Sequence, residues 1–414
     1  MLNKLKQIST FYFIACISIV VGLVFQDFHK VPLTGGIIVL GLVWFASFEY
    51  KAKLKTFLKK PFAIAFCALY LLHLISLLYS ENTAIALGDL ELKITLLLLP
   101  LFLLSTSIIS QKNKLFLLQL FAISMIVMAV YDLYKSSVEY NATNIINVFY
   151  YKNLPHLLIG KPHYLAWYYS FAMFVALREI VVLKKHRFAW GAGFVILLFS
   201  LILLSSRIYL LAFFIVLIGC YFLWANKLKL PLFKLLIPLT AIISVVLIIP
   251  NTRSRVTDTF VEINKLFDQK DHRQTNPRVY IWKYAVDLIG NKPLLGYGVG
   301  DAKDELGKAL QNCDALFWNG HKNVLLNRKS LNFHNQFLQT WAEVGILGFL
   351  LLLFLVVKPF LLKNKHPLFL IFISLTFIGF LTESMLERQA GVVMFAFMYP
   401  LLSSLTISNS IKIT

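Results

Sequence analysis

The chain has 414 residues, 58% of them hydrophobic and only 14% charged, with a mean hydropathy of +0.73. Those values exclude an ordinary soluble domain and describe a polytopic membrane protein. The formal net charge is +20, yet the basic residues fall in short connections between apolar runs, a topology signal rather than a nucleic-acid groove.

Apolar runs close to the roughly 20 residues that cross a bilayer lie at about residues 10–25, 33–48, 61–79, 94–110, 114–134 and 163–182. Others lie at about 189–205, 208–225, 232–250, 333–357, 366–383 and 390–408, so an all-α fold of about twelve transmembrane helices is expected. The first run lacks a small-residue cleavage site and reads as a retained helix. Three regions follow: residues 1–250 with nine spans, a polar insertion at 251–332, and residues 333–414 with three spans.

Alternate connections are lysine-rich: Lys51, Lys53, Lys55, Lys59 and Lys60, then Lys112 and Lys114, and later Lys184, Lys185 and Arg187. Lys227, Lys229 and Lys234 and then Lys358, Lys363 and Lys365 continue the series, while the opposite connections carry Glu81, Asp89 and Glu91, or Glu383, Glu387 and Arg388. The positive-inside bias puts both termini in the cytoplasm and the long insertion outside. Cys16, Cys67 and Cys220 fall inside spans and Cys313 in the insertion, so neither a disulfide framework nor metal-ligand spacing is expected.

Within the insertion, Val279, Trp282, Ala285, Val286 and Ile289 recur at helical spacing after Asn276 and Pro277, which predicts an amphipathic helix on the membrane surface. Gly290, Asn291 and Pro293 end it, and a second short helix is expected near 301–311. The intervening Gly296, Gly298 and Gly300 do not make a dinucleotide fingerprint, because no strand precedes them. They read either as a tight turn back toward the bilayer or as a backbone cradle for phosphate.

Polar groups near the outer boundary are the candidates for chemistry. Arg207 separates two apolar runs with Ser205 and Ser206; a guanidinium costs roughly 2.5–3.5 kcal/mol at mid-bilayer and less at the surface, so it either faces a cavity or partner or snorkels. Arg253, Arg255 and Arg273 read as solvated charge. Arg278 opens the amphipathic helix, where a helix N-terminus favours anions and a guanidinium fork suits a diphosphate. His334, at the exit of the insertion, offers an imidazole that titrates near neutral pH, as either a boundary residue or a general base, with Asn335 beside it to orient a ring or a hydroxyl. Glu343 and Glu383 are carboxylates within or beside apolar spans and are expected to pair, the arginines being candidates. His163 and Tyr164 line the same outer boundary or belong to its aromatic belt. Arginines on a departing diphosphate and a histidine taking a hydroxyl proton together suit glycosyl transfer from a lipid diphosphate sugar.

The segments SSRIYLLAF, PRVYIWKYAVDLIGNKPLLGYGVGD and HNQFLQTWAEVGILGFLLLL, in this order around a large loop, resemble the O-antigen ligase and O-antigen polymerase superfamily of GT-C type bacterial membrane glycosyltransferases. The resemblance implies that Arg207 and Arg278 contact the donor diphosphate and that His334 activates the acceptor. It implies an undecaprenyl-diphosphate-linked glycan donor, a hydroxyl acceptor such as lipid A core, no metal or other cofactor, and an inner-membrane enzyme working on the periplasmic face. A repeat-unit polymerase and a protein O-oligosaccharyltransferase share the signature. A lipid-glycan transporter fits the helix count but not polar groups gathered on one face, and a non-catalytic scaffold gives the interfacial arginines no role.

Overall fold

The structure is a computed structural model and describes residues 2–27, 30–158, 161–183, 186–228, 277–311, 331–363 and 365–405. These residues form helices and turns with no strand among them. The first region holds α1 (Leu2–Phe25), α2 (Val31–Ala46), α3 (Tyr50–Leu58), α4 (Pro61–Ser76), α5 (Thr83–Lys93), α6 (Thr95–Leu104), α7 (Gln111–Thr143), α8 (Pro162–Arg178), α9 (Arg187–Leu203) and α10 (Arg207–Leu228). Helices α11 (Pro277–Asn291) and α12 (Ala302–Gln311) form where the insertion was expected to be helical. The last three are α13 (Gln336–Val357), α14 (Pro367–Thr382) and α15 (Gln389–Ser403).

Local chemistry sets many of these boundaries. Proline opens α2, α4, α8 and α14, where its missing N–H costs nothing. Asn82, Ser110 and Asn335 cap α5, α7 and α13 through side-chain oxygens that accept first-turn N–H groups. On α7, Ile123, Val127 and Val130 point outward and bare, while Asp132 and Ser136 are buried. Bare apolar side chains facing outward, with the polar Asp132 and Ser136 turned inward, suit a lipid surrounding, and the chain is a multi-pass membrane protein.

The count of twelve spans is not reproduced. Among the described residues, Gln7–Phe25, Gln111–Thr143 and Gln336–Leu361 are long and apolar enough to cross a membrane, and α2 with α3 makes a fourth only as a pair bent by 115°. Shorter apolar helices, such as α4 and α14 at 16 residues each, reach about 24 Å at 1.5 Å per residue, short of the roughly 30 Å hydrocarbon core. Caps and prolines cut the helices shorter than their apolar runs. The run at 232–250 and Cys313 lie outside the described residues.

Hydrogen bonds sort the connections into two sets. At one end, lysine and glutamine side chains close the carbonyls that finish helices: Lys60 Nζ donates to Leu104 O at 2.7 Å, and Gln111 Nε2 and Lys114 Nζ each donate to Ser404 O at 3.1 Å. At the other end, Lys161 meets Asp27 at 2.5 Å, and the Asp301 carboxylate accepts from Glu81 N at 2.7 Å and Asn82 N at 2.9 Å. These are the two groups of connections that the charge pattern separates. Between them α8 is buried along nearly its whole length, with Trp167, Tyr168, Tyr169 and Phe171 fully enclosed.

Helix α13 is broken inside its apolar run. Val344 and Gly345 leave helical geometry, Gly345 with φ of 72°. The loop 293–300 binds the break directly: Tyr297 N donates to Ala342 O at 2.8 Å, Gly298 N to Glu343 O at 2.9 Å, and Ile346 N to Pro293 O at 2.9 Å. Backbone groups released by the break are thus answered by protein, as hydrocarbon demands.

Candidate active site

The site grows from the first turn of α13. Asn335 Oδ1 accepts from Phe337 N at 2.9 Å and Leu338 N at 3.1 Å, and its Nδ2 donates to Leu381 O at 3.1 Å. Its work is to cap the helix and tie it to α14, not to orient the neighbouring ring. His334, one residue earlier, has φ of 49°, a left-handed conformation uncommon for a residue with a Cβ. Its N–H donates to Asn332 Oδ1 at 2.8 Å, and its ring Nδ1 lies 3.0 Å from Glu383 Oε2. A carboxylate only accepts, so Nδ1 carries the proton toward Glu383, which leaves Nε2 as the ring edge that faces away from it.

Glu383 is the hub. It follows the last residue of α14 in extended backbone, with its N–H donating to Gly379 O at 2.9 Å. Arg278, in the first turn of α11, donates from Nη2 to Glu383 Oε1. His163 Nε2 lies 3.4 Å from that same oxygen, and His163 Nδ1 lies 3.2 Å from Ser206 Oγ. Three side chains from separate segments therefore converge on one carboxylate. Burial pushes the Glu383 carboxyl upward, but the His334 hydrogen bond and the neighbouring His163 and Arg278 side chains outweigh it and hold it at about 2. His334 and Arg278 keep 29% and 31% of their side chains accessible against 11% for Glu383, so the two outer groups stay open to their surroundings while the carboxylate lies behind them.

The remaining candidates fall at different distances from this hub. Arg207 begins α10, half-buried, immediately after the Ser206 that meets His163. Tyr164 is partly buried against the core beside Gly391, where an added Cβ would meet its ring at 2.9 Å. Glu343 is not part of the hub and, among the described residues, pairs with no arginine. It binds Lys93 Nζ at 2.9 Å, lies 3.5 Å from His73 Nε2 and accepts from Gln339 Nε2.

The glycine loop and a group of carboxylates lie apart from the hub. The glycine loop does not cradle phosphate: the N–H groups of Tyr297 and Gly298 bind the α13 break, and those of Val299 and Gly300 donate to Ser76 Oγ and Ser80 Oγ at 3.3 Å. Gly298, with φ of 90°, would bring a Cβ within 2.2 Å of Ser80 Oγ, so close approach explains the glycine. As to metal, the Asp89, Glu343 and Glu387 carboxylate oxygens lie within 4.8 Å of one another. Lys93 and Lys303 lie among them and already supply the positive charge an ion would bring.

Sequence reasoning missed Ser206, Lys93 and Lys303. Gln336, Gln339 and Glu343 recur at helical spacing on one face of an apolar span, a signal for a buried polar track. Nothing in the sequence pairs Lys93 with Glu387.

Residues 192–353 match the family described as O-antigen ligase. Over that segment the chain is similar to O-antigen ligases. The matched segment holds Arg207, Arg278 and His334, while Glu383 and His163 lie outside it. Two curated relatives carry the words "Putative polysaccharide ligase" in their names. One, from Rickettsia felis, is 36% identical over 81 residues, and one from Rickettsia conorii is 37% identical over 81 residues. Each alignment covers 20% of this chain and 18% of the relative.

Proposed function

We propose that the protein is a glycosyltransferase that moves a glycan from undecaprenyl diphosphate to a hydroxyl acceptor, lipid A core sugar being the leading one, on the periplasmic face of the bacterial inner membrane. One observation carries the reading: Arg278, inside the insertion, and His334, just past its end, meet the two oxygens of Glu383. A general base and a guanidinium held side by side are what a hydroxyl attack with a diphosphate leaving group requires.

In this reading the acceptor O–H gives its proton to His334 Nε2 as its oxygen bonds to the anomeric carbon. The anomeric carbon–oxygen bond to phosphate breaks, and the electron pair leaves with the diphosphate. Arg278 and Arg207 take up that developing charge. Glu383 fixes the His334 tautomer and stabilises the imidazolium that forms. The diphosphate needs no protonation to depart, so a second acid is not required, and the reaction runs without metal. His163, through Ser206, ties the Arg207 helix start to the same carboxylate.

The test is transfer from an undecaprenyl-diphosphate glycan to purified lipid A core by the protein in liposomes. A glycan joined to the core supports the ligase reading. Lengthening of the donor glycan instead makes the protein a polymerase with the same base and cation. Movement of intact donor across the bilayer with no new glycosidic bond would overturn the enzyme reading.

A further inference from the structure

The hub is held from below by a second cluster that takes no part in the chemistry just described. Lys93, at the end of α5, is almost fully enclosed, and its Nζ lies 2.9 Å from Glu343 Oε2 and 2.8 Å from Glu387 Oε1. Lys303, in α12, meets the other Glu387 oxygen at 2.5 Å and Asp89 at 3.7 Å. Two ammonium groups and three carboxylates thus join α5, α12, the α13 break and the turn between α14 and α15. A buried lysine costs several kcal/mol of desolvation unless it is paired, so each partner is held in place by the need to answer that charge.

The turn is the segment that carries Glu383. Four residues after the hub carboxylate, Glu387 is clamped by the two lysines. Between them, Ser384 Oγ donates to Gln339 Oε1 at 3.4 Å and Leu386 N donates to Gln336 Oε1 at 2.6 Å. Gln339 in turn donates to Glu343, which closes the circuit back to Lys93. The polar track of α13 and the charge cluster therefore grip the 383–388 turn at three points. Lys303 also ties the insertion that bears Arg278 to that turn.

We propose that Lys93 is a positioning residue for glycosyl transfer: by joining Glu343 of the α13 break to Glu387 of the turn, it fixes where Glu383 presents its oxygens to His334 and Arg278. This rests on the roles given to His334 and Arg278 above. Misplacement of a base by about 1 Å can cost on the order of 100-fold in rate, whereas donor affinity depends on the arginines that the cluster does not touch directly.

Lys93→Met alone strands two buried carboxylates, so the informative variant is Lys93→Met/Glu343→Gln, which removes one charge of each sign and leaves Glu387 with Lys303. Two readouts are taken on the purified full chain in detergent: hydrogen exchange of the peptide spanning 383–388, and steady-state transfer kinetics. The expected result is at least a tenfold rise in exchange of that turn and at least a tenfold fall in kcat, with donor KM within threefold of wild type. Lys93→Arg, which keeps the buried cation, recovers most of both. Should the double variant fail to fold, Lys303→Gln, which loosens the same Glu387 from the more open side, is read in the same way. Unchanged exchange overturns the proposal, as does faster exchange with wild-type kcat. His334→Ala is run in parallel and keeps wild-type exchange. If it also kept wild-type transfer, the base assignment would fail, while the exchange of the Lys93 variants would still decide whether Lys93 holds the turn.

Discussion

Glu343 and Glu383 start from the same sequence argument, a carboxylate in or beside an apolar span, and end in opposite roles. Glu343 is sealed inside α13 and answered by a lysine, a histidine and a glutamine. Glu383 sits at a helix end, where its partners are a histidine and an arginine that remain partly accessible. The difference teaches that an ionised group at membrane depth says only that partners exist. What separates scaffold from site is whether those partners can also reach something outside the protein.

Substitutions at the two carboxylates sharpen that contrast. Glu383→Gln keeps the shape but removes the charge behind His334, and is expected to lower kcat by about 100-fold. The protein should still elute as a folded species, which size exclusion and circular dichroism check. Arg278→Lys retains a positive charge and loses the planar fork, with an expected fall of about tenfold in donor turnover; unchanged turnover would remove Arg278 from the diphosphate. Glu343→Gln keeps an acceptor oxygen for Lys93, and with it the link to Glu387, so it is expected to change kcat by less than about threefold, its effect appearing as a lower Tm.

Two predictions concern smaller effects. Because Glu383 is held at about 2, its folded-state value lies below the ordinary carboxylate range. The stability it contributes is then fully present above that range and is lost only as pH falls toward about 2. The stability difference between wild type and Glu383→Gln should accordingly shrink as pH falls from about 5 toward 2, measured as the difference in Tm in detergent. Gly345→Ala would bring a Cβ to 1.9 Å from Leu294 O at a positive φ, and is expected to lower stability by on the order of 1–3 kcal/mol or more, read from thermal unfolding in detergent.

Much of this arrangement was legible in advance. Composition and the alternation of lysine-rich with acidic connections carried the membrane class, because bilayer insertion imposes both directly on sequence. The helices at Pro277–Asn291 and Ala302–Gln311 were legible from periodicity and their flanking proline and glycines. The break in α13 was not, since Glu343, Val344 and Gly345 interrupt an apolar run without shortening it, and a docked loop 293–300 supplies the missing hydrogen bonds. For the site, Arg278, His334 and Glu383 could be named as candidates from their residue types at the boundary. That they share one carboxylate could not, because Glu383 lies 49 positions from His334 and 105 from Arg278. Asn335 illustrates the converse: adjacent to the histidine in sequence, it spends its side chain on capping.

The most direct test of the central claim is the rate of glycan transfer by His334→Ala against wild type, in liposomes loaded with undecaprenyl-diphosphate donor and a hydroxyl acceptor. The account predicts a fall of about 100- to 10,000-fold in a variant that stays folded and still binds donor. Transfer at the wild-type rate by folded His334→Ala would contradict it.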